Sequence, residues 1–230
     1  MRRLWPGLCL LFFITVWADP PKKGVDRWHV KTTLDSAAEH KKPAAVKSDD
    51  LITLAEPDRH KYDYKEYQHN QSHQDDRMRD PASTALQEGD LVSTTGYVQL
   101  IASEDDGDYH IQVGPTREDR TRCVIVEVPR SDFLDAPDAK LGGLDALRAK
   151  LLKNFGTPGK TDFSGSGTCV KHPTKMKITG QLFYDVHHAI HPGPRGKGLC
   201  DASHNFWEIH PVYAMTFAEK KTGKPEVACK

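Results

Sequence analysis

The sequence predicts a mainly β protein, a five-stranded barrel with one helix between its third and fourth strands. Five segments after residue 90 are rich in β-branched and aromatic residues, and turn signals separate them. A single segment with helical spacing of its apolar residues interrupts this series after the third strand. A generic α+β sheet is the alternative architecture.

The first three strands are predicted at Leu91 to Ala102, Tyr109 to Val113 and Cys123 to Pro129. The acidic turn EDDGD, with Gly107 near its centre, joins the first two strands into a hairpin. Pro129 ends the third strand because proline cannot donate a ladder hydrogen bond.

The helix is predicted from Leu144 to its C-terminal cap at Gly156, with apolar residues on one face. The last two strands are predicted at Met176 to His188 and Phe206 to Phe217, on either side of a loop rich in glycine and proline. Three strands, a helix and two strands follow the order of the Greek-key barrel called the OB-fold.

The N-terminus has the pattern of a cleavable signal peptide. Arg2 and Arg3 precede an apolar run that ends at Ala18, and the run is shorter than the roughly 20 residues of a membrane span. A lipoprotein anchored at Cys9 is the alternative, but the preceding Leu8 is not a small residue. We therefore expect a secreted or periplasmic protein with no membrane segment after cleavage.

The expected organisation has four parts. A signal peptide covers residues 1–18, a polar and partly disordered arm covers 19–90, the barrel domain covers 91–220, and a tail covers 221–230. The arm lacks a periodic apolar face and is expected to contribute little to the core. Its segments RWHVKTTLDSAA and DLITLAEP hold the apolar residues most able to dock on the barrel.

The mature chain has four cysteines, an even number that indicates two disulfides in an oxidising compartment. Strand directions in the predicted barrel favour the pairs Cys123 with Cys200 and Cys169 with Cys229. A structural zinc site is the alternative, but no two of these cysteines have CxxC spacing.

Basic and acidic residues balance, with 32 of each. A formal charge of zero gives no general attraction to nucleic acid or to an anionic membrane. Nucleic acid is therefore a possible but not a favoured partner. The sequence does not indicate an oligomeric state.

Carboxylate and histidine residues recur at one spacing along three strands. Because successive strand residues point to opposite faces, these side chains are expected on the non-core face of the barrel, with Glu127 beside them. The candidate residues are Asp108, His110, Glu127, Asp185, His187, Glu208 and His210. The alternative is a set of exposed ion pairs, each worth at most about 1 kcal/mol.

The segments EDDGDYHIQV, VIVEVP, ITGQLFYDVHH and WEIHPV resemble an uncharacterised family of exported bacterial proteins. That family has DGDxH, VE-x-P, GxxFxDxxH and [WI]E[IL]HPV motifs, and the similarity runs in pieces from about Arg27 to Val212. In its FxDxxH motif the histidine position corresponds to His188, whereas strand alternation favours His187. The resemblance implies no established activity.

Three functions remain open. The first is a binding module in which Asp185, an outward histidine, Glu208 and His210 hold a divalent metal, preferably zinc, or a small polar ligand. Asp108, His110 and Glu127 are expected at the edge of this cluster. The second is a metal-dependent hydrolase such as a phosphoesterase or nuclease. The third is a structural or adhesion protein with no ligand site.

Overall fold

The computed structural model describes residues 27–69, 73, 75–134, 138–191, 199–200 and 205–218. The predicted signal peptide and C-terminal tail lie outside this part of the chain. The strands are β1 (Ala44–Ala45), β2 (Leu91–Ser103), β3 (Tyr109–Gly114), β4 (Val124–Val128), β5 (Thr168–Tyr184) and β6 (Trp207–Phe217). The helices are α1 (Trp28–Thr32), α2 (Ser36–Glu39), α3 (Ser48–Ile52), α4 (Tyr64–His69), α5 (Leu144–Phe155) and α6 (Val186–Ile190).

Five of the strands close into a mixed barrel in the order β2-β3-β4-β6-β5, and a pairing between β2 and β5 completes the ring. The β4–β6 pairing is parallel, and the other four pairings of the ring are antiparallel. The two-residue strand β1 adds to β2 outside the ring. The predicted mainly β, OB-like architecture is confirmed.

The local signals read from the sequence account for the elements around the helix and the first hairpin. Helix α5 ends where Gly156 donates its backbone N–H to the carbonyl of Leu152 at 2.8 Å. The β2–β3 turn has Gly107 at φ 89°, a left-handed conformation that glycine adopts without steric cost.

The fourth predicted strand is wrong at its C-terminal end. Strand β5 stops at Tyr184, and residues 186–190 form α6 instead of continuing the alternation to His188. The cause is local, because the Asp185 carboxylate accepts a hydrogen bond from the backbone N–H of His188 at 3.1 Å. An aspartate in this position starts a helix by satisfying one of its unpaired N–H groups.

The prediction that the N-terminal arm contributes little to the core is also wrong. Val30 and Leu51 are fully buried, and Met78 is nearly so, all within the main hydrophobic cluster. The barrel also binds the arm through polar contacts from β6 and the residues before it. The Trp207 indole N–H donates to the Ala55 carbonyl at 2.9 Å.

A buried ion pair anchors the first described residue of the arm. Both terminal nitrogens of Arg27 donate to the Glu88 carboxylate at 2.7 Å, and the two side chains are 1% and 0% exposed. The same carboxylate accepts the backbone N–H groups of Met78 at 2.7 Å and Tyr184 at 3.0 Å. Arg27 and Glu88 therefore join the arm to the end of β5.

The Cys123–Cys200 disulfide is present, as the parallel direction of β4 and β6 predicts. Cys169 is also in a disulfide. Its predicted partner, Cys229, lies outside the described residues, so that pairing stays a prediction. Within the described part of the chain, no helix has both the length and the apolar character needed to cross a membrane.

We predict that Arg27→Met lowers the free energy of unfolding by about 3–5 kcal/mol, because it leaves the Glu88 charge buried without its partner. Urea unfolding of the full chain measures this loss. The matched control is Arg59→Met, which breaks the exposed Arg59–Glu56 pair and should cost less than about 1 kcal/mol. Equal stability of the two variants would show that the arm is not anchored by this pair.

Candidate metal centre

Strands β3, β4 and β6 lie side by side and bring carboxylates and histidines together. His110 on β3 pairs in register with Glu127 on β4. On the other side of β4, Ile125 pairs with Glu208 of β6, two residues before His210. Asp108 lies immediately before β3. The carboxylate-x-histidine pairs of β3 and β6 thus lie on either side of β4 and concentrate these groups on one wall of the barrel.

This wall is buried, contrary to the expectation of an exposed outer face. Asp108 and His210 are fully buried. The other members of the cluster are almost as inaccessible, namely Glu208 at 3%, and Asp106, His110 and Glu127 at 7% exposed. Alternation placed the side chains on the correct strand face, but the sequence pattern did not show what covers that face.

The cover comes from α1 and from Phe183. The Lys31 ammonium of α1 lies 3.6 Å from the Asp106 carboxylate and 5.9 Å from the centre of the Phe183 ring. The Phe183 ring centre is in turn 5.8 Å from that of His210, and Arg27 lies 5.3 Å away on the same ring. The arm therefore excludes water from the cluster and places one positive charge at its edge.

His210 lies between carboxylates on both sides of its ring. Its Nε2 is 3.2 Å from an Asp108 oxygen, and its Nδ1 is 3.0 Å from a Glu127 oxygen and 3.8 Å from a Glu208 oxygen. These are ion-pair distances, but the atoms are not aligned as hydrogen bonds. Among the described residues, neither His210 nitrogen and neither Asp108 oxygen has a hydrogen-bond partner.

Glu127 is held from its other side. The Nδ1 of His110 lies 3.1 Å from the second Glu127 oxygen, within hydrogen-bonding distance. A carboxylate that is hydrogen-bonded on one oxygen has a fixed orientation. Residues that contact metal ligands in this way orient them in metalloproteins. Glu127 thus presents one oxygen to His110 and the other to His210.

The charged groups of this cluster shift one another's pKa values. Burial alone would favour neutral imidazole, but the close carboxylates of Asp108, Glu127 and Glu208 outweigh it and raise the pKa of His210 well above 6.5. Burial acts to raise the pKa of Glu127, but the contacts with His110 and His210 dominate and lower it well below 4.5. In the metal-free protein, His210 is therefore an imidazolium and Glu127 a carboxylate.

The pKa values of Lys31 and Asp106, at the edge of the cluster, are both raised by their surroundings. Burial opposes the ammonium, but Glu127, Asp106, Asp108 and Glu208 together raise the pKa of Lys31. Burial, followed by repulsion from Asp108, raises the pKa of Asp106 to about 7. Lys31 is thus a counter-ion for several carboxylates, and Asp106 is harder to ionise than an ordinary aspartate.

The buried charges do not balance. Four buried carboxylates face two cations, protonated His210 and Lys31. When all four acids are ionised, two negative charges remain in excess, so an additional cation would be favourable here. The four acids are Asp106, Asp108, Glu127 and Glu208.

Asp108, Glu127 and His210 have the spacing of potential metal ligands. One donor atom from each lies within 4.8 Å of the others. Two ligands of a tetrahedral zinc ion lie roughly 3.3 Å apart, so the three side chains would have to close around an ion. His210, whose two nitrogens face different carboxylates, would turn one of them to the ion. Of the chain that the structure describes, only this group has three such residues in reach of one another.

The structure divides the residues expected in the site. Asp108, His110, Glu127, Glu208 and His210 come together, whereas Asp185, His187 and His188 belong to the start of α6 and are not members of this group. Sequence reasoning missed two participants, Asp106 and Lys31. The acidic turn EDDGD signalled Asp106, but no local pattern distinguishes Lys31.

Searches against protein-family models and against curated protein sequences found no match to this chain.

We predict that Asp106→Asn stabilises the metal-free protein at pH 8 and not at pH 4. As pH rises from 4 to 7, the unfolded state ionises Asp106 while the folded state retains the proton, so the wild type loses stability across this window. The variant should avoid a loss of roughly 2–4 kcal/mol. Urea unfolding in the presence of a chelator measures the difference, and equal pH profiles would contradict it.

Proposed function

We propose that this barrel is a binding module that holds one divalent metal ion through Asp108, Glu127 and His210. One observation carries the proposal. Both oxygens of Asp108 and both ring nitrogens of His210 are buried, and no described residue hydrogen-bonds any of them. Folded proteins satisfy nearly all buried polar groups, and a cation would bind an Asp108 oxygen together with one of the two His210 nitrogens.

The charge of the cluster supports the same function. A divalent ion brings two positive charges to the four buried carboxylates. It replaces the proton on His210, because a metal binds neutral imidazole, so the excess falls from two negative charges to one. The mixed set of one imidazole and two carboxylates suits a first-row divalent ion, and zinc is our preferred candidate.

Burial favours binding over catalysis. A metal-dependent hydrolase keeps one coordination position open to water and substrate, whereas Asp108 and His210 are fully buried beneath α1 and Phe183. The same cover weighs against nucleic acid, since OB-folds bind oligonucleotides on an exposed barrel wall. The close spacing of the donor atoms suits an ion better than a larger ligand.

We also propose that the protein works outside the cytosol. The Cys123–Cys200 disulfide is consistent with an oxidising compartment. The N-terminal pattern, two arginines followed by an apolar run, also supports export. Membership of the exported bacterial family with the GxxFxDxxH and WEIHPV motifs remains part of this proposal.

Zinc should bind the wild type at a buried site that Asp108→Asn and Glu127→Gln weaken by more than about tenfold. Both substitutions keep the size of the side chain and remove its charge. Isothermal titration with zinc, starting from chelator-treated protein, measures the affinity. Because binding displaces the His210 proton, it should release protons into the buffer and tighten as pH rises above 6.5.

The matched control is Asp105→Asn, which changes an exposed acid of the same turn and should leave the affinity unchanged. Circular dichroism verifies that each variant is folded. Zinc affinity that is equal in the wild type, Asp108→Asn and Glu127→Gln would contradict the proposed site. The cluster would then be a structural charge network.

Replacing Lys31, the counter-ion of the cluster, should make the stability of the protein depend more strongly on bound metal. We predict that Lys31→Met lowers the melting temperature of the metal-free protein, because the carboxylates lose a compensating charge. Added zinc should raise the melting temperature of this variant more than that of the wild type. Lys65→Met, at an exposed position, is the control. An identical zinc-induced shift in all three proteins would contradict the role of Lys31.

A further inference from the structure

A second group of histidines lies at the end of β5, where the sequence predicted site residues that do not join the buried cluster. His187 and His191 are one helical turn apart, since the backbone N–H of His191 donates to the His187 carbonyl at 3.0 Å. Both side chains are exposed. The centres of their rings are 5.3 Å apart.

The distance between these ring centres is close to that expected for two histidines that bind the same metal ion. A zinc–nitrogen bond of about 2.1 Å places the centre of an imidazole ring roughly 3.2 Å from the ion. Two such rings at a tetrahedral angle have centres about 5.2 Å apart, close to the observed 5.3 Å. Histidines four residues apart on one helical face are also the pair that binds metal in helical zinc motifs.

Local contacts position His187 and His191. Asp185 caps α6 and so starts the turn that brings His187 and His191 onto one face. The Gln68 amide of α4 lies 2.6 Å from Nδ1 of His187 and holds that ring from the side of α4. A partner on one ring nitrogen fixes the orientation in which the other faces a metal.

His188 is not the second ligand of this pair, although its ring centre lies 5.4 Å from that of His187. Adjacent residues of a helix do not face each other. The His188 ring contacts the Asp185 carboxylate through its Nδ1. His188 therefore belongs to the cap of α6 and offers a matched control for the proposed pair.

We propose that His187 and His191 form a second, surface site for a first-row transition metal ion, independent of the buried carboxylate cluster. The site supplies two imidazoles and leaves the remaining coordination positions to water or to an external ligand. Two imidazole ligands favour copper(II), nickel(II) or zinc over magnesium or calcium, and copper(II) forms the tightest complexes in this series.

Electron paramagnetic resonance of the full chain with half an equivalent of copper(II) tests the proposal. We expect hyperfine splitting from two imidazole nitrogens, because the surface site has two histidines and the buried cluster offers one of its own, His210, as a ligand. His187→Ala and His191→Ala should each remove the two-nitrogen pattern. His188→Ala and His60→Ala, which changes another exposed histidine, should retain it.

Two results would overturn the proposal. One is a wild-type spectrum that His191→Ala leaves unchanged, and the other is loss of the two-nitrogen pattern in His188→Ala. Because His187 and His191 are exposed, their variants should keep the circular dichroism spectrum of the wild type. The buried site is tested separately by Asp108→Asn, which should leave the two-nitrogen copper spectrum intact, so the two sites can succeed or fail independently.

Discussion

Four carboxylates are buried together on one wall of the barrel, and the rest of the structure is arranged around the need to compensate their charge. Removing ionised groups from water costs several kcal/mol each unless nearby charges and hydrogen bonds repay it. His210 and Lys31 supply positive charge, and His110 supplies a contact to Glu127. The excess negative charge, and the Asp108 and His210 atoms that lack a hydrogen bond from any described residue, are what the proposed cation would compensate.

The N-terminal arm is part of this arrangement and not an appendage. The buried Arg27–Glu88 pair anchors the arm at the end of β5, and α1 then extends over the cluster and delivers Lys31 to it. Val30 and Leu51 add apolar contacts that keep the arm in place. A barrel without the arm would expose the carboxylates to water, which would weaken both their mutual repulsion and their attraction for a metal. Fold and site therefore share one set of contacts.

The sequence predicted the barrel, its strand order and the Cys123–Cys200 disulfide because these depend on local periodicity and on strand direction. It also predicted the carboxylates and histidines of β3, β4 and β6, since alternation along a strand assigns a face without knowledge of the tertiary structure. It could not predict their burial, because Lys31 covers them from a distant segment with no pattern of its own. His187 was predicted on a strand because the residues before it favour a strand. In the structure, capping by Asp185 starts a helix there instead.

Anomalous X-ray diffraction at the zinc absorption edge, on crystals of the zinc-loaded full chain, would locate a metal ion held by the buried cluster. We expect an anomalous peak about 2.0–2.2 Å from oxygens of Asp108 and Glu127 and from a nitrogen of His210. A peak confined to surface histidines, with His210 still placed between the two carboxylates, would contradict it. The buried cluster would then be a charge network that stabilises the barrel without binding metal.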